Sequence, residues 1–194
     1  MSTLNIKLTA ATILLTTSSI AFAHTGHGTS GLAAGLAHPF FGLDHLLAMV
    51  AVGLWAAQSG GRRVWLLPAA FMITLAVGGG IGMQWQHPVP LIETGIALSV
   101  LALGLLITLS LKFPVAACMA ITALFGLLHG YAHGLELPGS AAPGAYTLGF
   151  LSATAVLHLG GIAVGVATRQ RYAALAKIAG GVIAMSGVGL LALS

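Results

Sequence analysis

The chain has 194 residues, of which 58% are hydrophobic and only 5% charged, with a formal net charge of +4. A soluble domain devotes about a quarter of its residues to Asp, Glu, Lys and Arg, so a water-facing exterior is excluded and most of the surface must face lipid. The basic excess does not call for nucleic acid or another acidic partner, because the Lys and Arg residues sit in short breaks between apolar runs, where they set membrane orientation.

The first predicted element is a targeting segment. Lys7 gives a basic start, an apolar, Thr-rich stretch runs from Leu8 to Ile20, and Ala21-Phe22-Ala23 forms an A-x-A cleavage site. Residues 1–23 therefore read as a cleaved signal peptide, and the mature chain, 24–194, begins at His24 outside the membrane. Six apolar runs follow, at roughly 39–58, 64–83, 91–111, 114–134, 145–167 and 172–193, each close to the ~20 residues that cross the hydrocarbon. The breaks between them carry turn residues or charge: Ser59-Gly60-Gly61-Arg62-Arg63, Gln84 to Pro90, Lys112-Phe113-Pro114, Leu137 to Gly144, and Thr168 to Arg171. Only helices and closed barrels satisfy their backbone in lipid, and these runs lack the alternation of barrel strands. The expected fold class is all-α, a polytopic bundle of six transmembrane helices.

Orientation follows from charge. With the mature N-terminus outside, Arg62, Arg63, Lys112, Arg169 and Arg171 all fall in inner loops, and Lys177 falls at the inner start of the last helix. This obeys the positive-inside rule and implies a bacterial inner membrane with a periplasmic N-terminus. Glycine is abundant, at 27 residues. Gly78-Gly79-Gly80-x-Gly82, Gly160-Gly161-x-x-x-Gly165 and Gly180-Gly181 put small residues on helix faces, which lets membrane helices approach closely. Such faces suit a compact bundle and are compatible with a homo-oligomer. The single cysteine, Cys118, lies in an apolar run and has no intramolecular disulfide partner.

The informative residues are the polar ones. The mature chain has only three carboxylates, Asp44, Glu93 and Glu136, and eight histidines: His24, His27, His38, His45, His87, His129, His133 and His158. Ionisable groups inside a membrane are costly and mark function. The predicted topology places His38, Asp44, His45, Glu93, His129, His133 and Glu136 towards the outer side, with His158 deeper. His129 and His133 form H-x-x-x-H, which puts two imidazoles one turn apart on one helical face and lets them share a divalent ion, with Glu136 three residues further on. His38 and His45 are seven residues, roughly 10 Å, apart along an ideal helix. Because His38 precedes Pro39, it is biased out of helical conformation and can fold back towards Asp44 and His45. Such a donor set suits borderline ions such as Ni²⁺, Co²⁺, Zn²⁺ or Cu²⁺. His24, His27 and His87 read as loop residues. For Asp44 and His45 the competing role is a buried pair that fixes packing, and for Glu93 it is a charge at a helix N-terminus.

The stretch His38-Pro39-Phe40-Phe41-Gly42-Leu43-Asp44-His45 resembles the H-P-x-x-G-x-D-H signature of the HupE/UreJ family. These are small membrane proteins associated with hydrogenase and urease gene clusters and regarded as nickel permeases. The resemblance extends to the His-rich F-G-L-L-H-G-Y-A-H-G of the fourth helix and the histidine of the fifth. It implies that His38, Asp44 and His45 are essential metal residues, with His129 and His133 as their partners.

The expected function is a secondary permease that brings a divalent metal, Ni²⁺ by this kinship, from periplasm to cytoplasm. Metal ion and lipid are then its partners, no organic cofactor is involved, and His158 acts as an inner relay. The P-loop pattern G-x-x-x-x-G-K-[ST] is missing, so ATP is not expected to be used by this chain. Two other classes compete. An intramembrane zinc hydrolase would use H-x-x-x-H, an aspartate and a further histidine around an activated water, and a metal-sensing or metal-delivering partner would bind without transport.

Overall fold

The computed structural model describes residues 31–139, 141–168 and 173–194. The expected signal peptide, His24, His27, Arg169 and Arg171 lie outside the described residues. The described elements are all helical: α1 (Gly31–Ala37), a 3₁₀ turn (His38–Phe40), α2 (Leu43–Ser59), α3 (Arg63–Trp85), α4 (Ile92–Thr108), α5 (Val115–Leu135), α6 (Pro143–Thr168) and α7 (Ala173–Leu191).

Four of these helices, α3, α5, α6 and α7, are long and apolar enough to cross a membrane. The segment Gly31–Phe40 with Leu43–Ser59 passes the same test as a pair bent by 79°, and α4 is a shorter apolar helix of 17 residues. The chain is thus a helical, multi-pass membrane protein. Two expectations change. The first run is not one helix from residue 39, because Pro39 opens a 3₁₀ turn and Gly42 is extended (φ −90°, ψ 114°) before α2 starts. The third run is shorter than 91–111: Leu91 takes a left-handed conformation (φ 65°) ahead of α4, and the chain turns through Ser110 (φ 51°) after it.

Helix α2 is the centre of the bundle. Nearly every residue from Ala48 to Ala57 is buried, and α3, α4, α6 and α7 pack around it. The closest helix pairs are α3 with α5, α4 with α7 and α2 with α6. Glycine explains the closeness. On α5, Gly126, Gly130 and Gly134 recur every four residues, and a Cβ on each would collide with the α3 carbonyl oxygens of Phe71, Leu75 and Gly79 respectively. Gly53 of α2 and Gly161 of α6 meet in the same manner, each against the other helix's backbone. Without a hydrophobic drive between helices in lipid, this close packing is what holds the bundle together.

The bundle has two chemically distinct ends. Asp44, Glu93 and the last residues, Leu193 and Ser194, surround one cavity, and Glu136 joins Asp44 and Glu93 around its neighbour. Arg63, Lys112 and Lys177 line the cavities of the opposite end.

Candidate metal centre

The H-P-x-x-G-x-D-H stretch forms the bend above α2. Gly42 leaves room there, since a Cβ would lie 2.8 Å from Asp44 Oδ1 and 3.1 Å from His45 Nδ1 where these side chains now sit. The space allows Asp44 to fold back, so its Oδ1 accepts from both the His45 backbone N–H (2.8 Å) and His45 Nδ1 (2.7 Å). The carboxylate thereby keeps the proton on Nδ1 and leaves Nε2 with its lone pair, the usual way a carboxylate prepares an imidazole for a metal.

His38 lies in the 3₁₀ turn, and its closest polar partner is across the bundle. Its Nε2 is 3.0 Å from Glu136 Oε2, and its ring centroid is 4.7 Å from that of His133. Glu136 caps the end of α5, and its Oε2 is also 3.1 Å from His133 Nδ1. His38, His133 and Glu136 each offer a ligand atom within 4.8 Å of the others. The hydrogen bonds from His133 and then from His38 hold the Glu136 carboxyl well below the usual carboxylate range, so it stays anionic. These groups, with Asp44, His45 and Glu93, open onto a cavity of about 310 Å³.

Below that mouth the imidazoles continue inward. The ring centroids of His45 and His133 are 3.7 Å apart, and those of His45 and His129 are 4.7 Å apart. His129 is fully buried, and its Nε2 is 2.8 Å from Ser99 Oγ. Ser99 donates its single hydroxyl proton to the Ile96 carbonyl (2.7 Å), so it accepts from His129 Nε2–H and leaves Nδ1 free. His45 Nε2, His129 Nδ1 and His133 Nε2 are all buried without a hydrogen-bond partner among the described residues. Each of the three imidazoles thus has one nitrogen anchored by an oxygen and the other open, within one cluster.

Phe71 of α3 separates this cluster from His158, its ring centroid 5.8 Å from His129 and 5.2 Å from His158. Both nitrogens of His158 are buried without a hydrogen-bond partner among the described residues. The two glycine-rich faces set these heights. On α5 the glycine row lies against α3, and His129 and His133, each one residue before a glycine, project from a neighbouring face.

The sequence-predicted residues therefore divide. His38, His133 and Glu136 come together at the mouth, Asp44 orients His45, and His45 and His129 lie deeper. Glu93 stays exposed on the cavity wall, and His87 sits in an exposed loop whose carbonyl accepts from Tyr131 Oη (2.6 Å). Sequence reasoning missed Ser99 and Gly42. Gly42 was present in the quoted signature, whereas a lone serine in an apolar run carries no pattern that separates it from packing.

The model of the family described as HupE / UreJ protein matches residues 12–190. The chain is 44% identical over 188 residues to "Protein HupE" of Rhizobium leguminosarum bv. viciae, covering 95% of this chain and 97% of that protein. No solved structure matches it. A family match along nearly the whole chain and close identity to one member over the same length lead to one conclusion: this protein belongs to the HupE / UreJ family.

Proposed function

We propose that the chain is a secondary permease that carries a divalent transition metal, Ni²⁺ in keeping with its family, from periplasm to cytoplasm for hydrogenase or urease maturation. The observation that carries the reading is the row of imidazoles from the open mouth at His38 and Glu136, through His133, His45 and His129, towards His158. A dication entering a low-dielectric bundle needs its water replaced and its charge balanced. Asp44 and Glu136 supply the negative charge, and the open nitrogens supply successive ligands a few ångströms apart. Several partial sites suit release better than one closed cage, since an ion that is to move on must be held weakly at each.

Six spans fit this role, counting the bent pair as one and α4 as another, after a signal peptide over residues 1–23. The carboxylate-rich end then faces the periplasm and the basic end the cytoplasm of a bacterial inner membrane, as positive-inside placement favours. No organic cofactor and no ATP enter the scheme, and the metal is cargo.

The test is uptake of radioactive nickel by transport-deficient cells expressing wild type, Asp44→Ala or His45→Ala at equal membrane levels. Uptake by the wild type that is lost in both variants is expected. A well-expressed wild type that takes up neither nickel, cobalt, zinc nor copper would overturn the proposal and direct attention to a tightly held zinc and a lipid substrate.

A further inference from the structure

The end of the bundle away from the imidazoles holds two adjoining cavities, of about 310 and 500 Å³, that share Gln58, Ser110 and Lys112. Arg63 completes the first, and Lys177 lies on the wall of the second. Gln58 bridges the end of α4, its Nε2 donating to the Ile107 carbonyl and to Ser110 Oγ, both at 3.0 Å. Thr108 Oγ1 lies 2.9 Å from the Gly104 carbonyl of its own helix and 3.1 Å from the Lys177 carbonyl, so α7 approaches α4 at the same place.

Among the described residues this pocket has no carboxylate counter-ion. The chain contains three Asp and Glu residues in all, and each belongs to the other end: Asp44 with His45, Glu136 with His38 and His133, and Glu93 on the wall of their cavity. Two helices begin at the basic end, α3 at Arg63 and α5 at Val115, and neither has an acidic residue in its first turn. Their positive dipole ends add to the charge of the side chains. Leu111 lines the first cavity with Lys112 and is exposed, and Trp65 and Ile178 are exposed apolar residues on the helices that carry Arg63 and Lys177.

We infer that this pocket binds a phosphate group, presented by the headgroup of an anionic phospholipid whose chains lie along the neighbouring apolar surface. Basic pockets between membrane helices recognise such headgroups. If the protein conducts a dication, the bound phosphate also offsets the repulsion that Arg63, Lys112 and Lys177 impose on the departing ion. That consequence rests on the transport reading, whereas the binding does not.

The experiment uses the purified full chain in neutral detergent without added metal. Lipid retention is followed by native mass spectrometry and thermal unfolding with dioleoyl phosphatidylglycerol, dioleoyl phosphatidylcholine or inorganic phosphate. Phosphatidylglycerol should bind and stabilise, and phosphatidylcholine, whose phosphate is neutralised by choline, should not. Lys112→Gln with Lys177→Gln should weaken phosphatidylglycerol binding about fivefold per lysine, about 25-fold together. Lys112→Arg with Lys177→Arg should restore it. Inorganic phosphate that matches the lipid's effect would support the phosphate pocket with a soluble source. Equal binding of the two lipids by the wild type, or unchanged phosphatidylglycerol binding in the glutamine variant, overturns the inference. Should the glutamine variant fail to fold, the wild-type comparison of the two lipids decides alone. Because the readout contains no metal, failure here leaves the nickel-uptake result untouched, and the reverse.

Discussion

The oxygen atoms around the imidazoles decide which nitrogens are open. Asp44 holds the proton on His45 Nδ1, and Ser99, whose own proton goes to the Ile96 carbonyl, takes that of His129 Nε2. Partners that orient a metal-binding imidazole contribute through it, and their loss typically costs about 10- to 100-fold in metal affinity. Ser99→Ala should therefore lower nickel affinity by about tenfold, as measured by isothermal titration of the purified protein. A merely structural serine would change the unfolding temperature without changing affinity. Glu136 is a different case. Hydrogen bonds from His133 and His38 depress its titration, so it is ionised at every pH above that lowered range, including about pH 5.5 and about pH 7.5. Glu136→Gln should weaken nickel binding at both values.

Among the elements, α3 and α5 show how glycine placement sets the site. The Gly126, Gly130 and Gly134 row brings α5 against the α3 backbone and so fixes the depth of His129 and His133. Gly80, also on α3, would place a Cβ in open space. Gly130→Ala should destabilise the protein by about 1–3 kcal/mol, the cost of forcing extra volume into a packed contact, and should reduce uptake. Gly80→Ala should leave both unchanged, with thermal unfolding in detergent and an uptake assay as the measurements. The bend before α2 is equally local. Pro39 starts the turn, and Gly42 leaves the room into which Asp44 folds. A continuous helix from residue 39 was the sequence expectation, because apolar length alone does not register a turn closed by one backbone bond, Phe41 N–H to the His38 carbonyl, and by Asp44 accepting from His45 N–H.

At the scale of the molecule, the segregation of charge is the main feature, with carboxylates and most imidazoles at one end and Arg63, Lys112 and Lys177 at the other. Alkaline phosphatase fused after Gly139 should be active, as expected for the outer side, and inactive when fused after Gly61. The opposite pattern would invert the assigned orientation.

Composition and run length by themselves determined that the chain is helical and membrane-embedded, because so little charge cannot cover a water-facing surface and backbone in lipid must satisfy itself. The eight-residue stretch from His38 to His45 also pointed to the family, since its proline, glycine and charged pair are a local structure written in consecutive residues. The tertiary structure alone decided which ligands meet. His38 lies beside Glu136, 98 positions away, and His129 is held by Ser99 from another helix. Helical periodicity states which face a residue occupies on its own helix, but not which neighbour that face meets or at what depth. Those follow from the glycine contacts between helices, where the absence of a Cβ on one backbone lets the next approach.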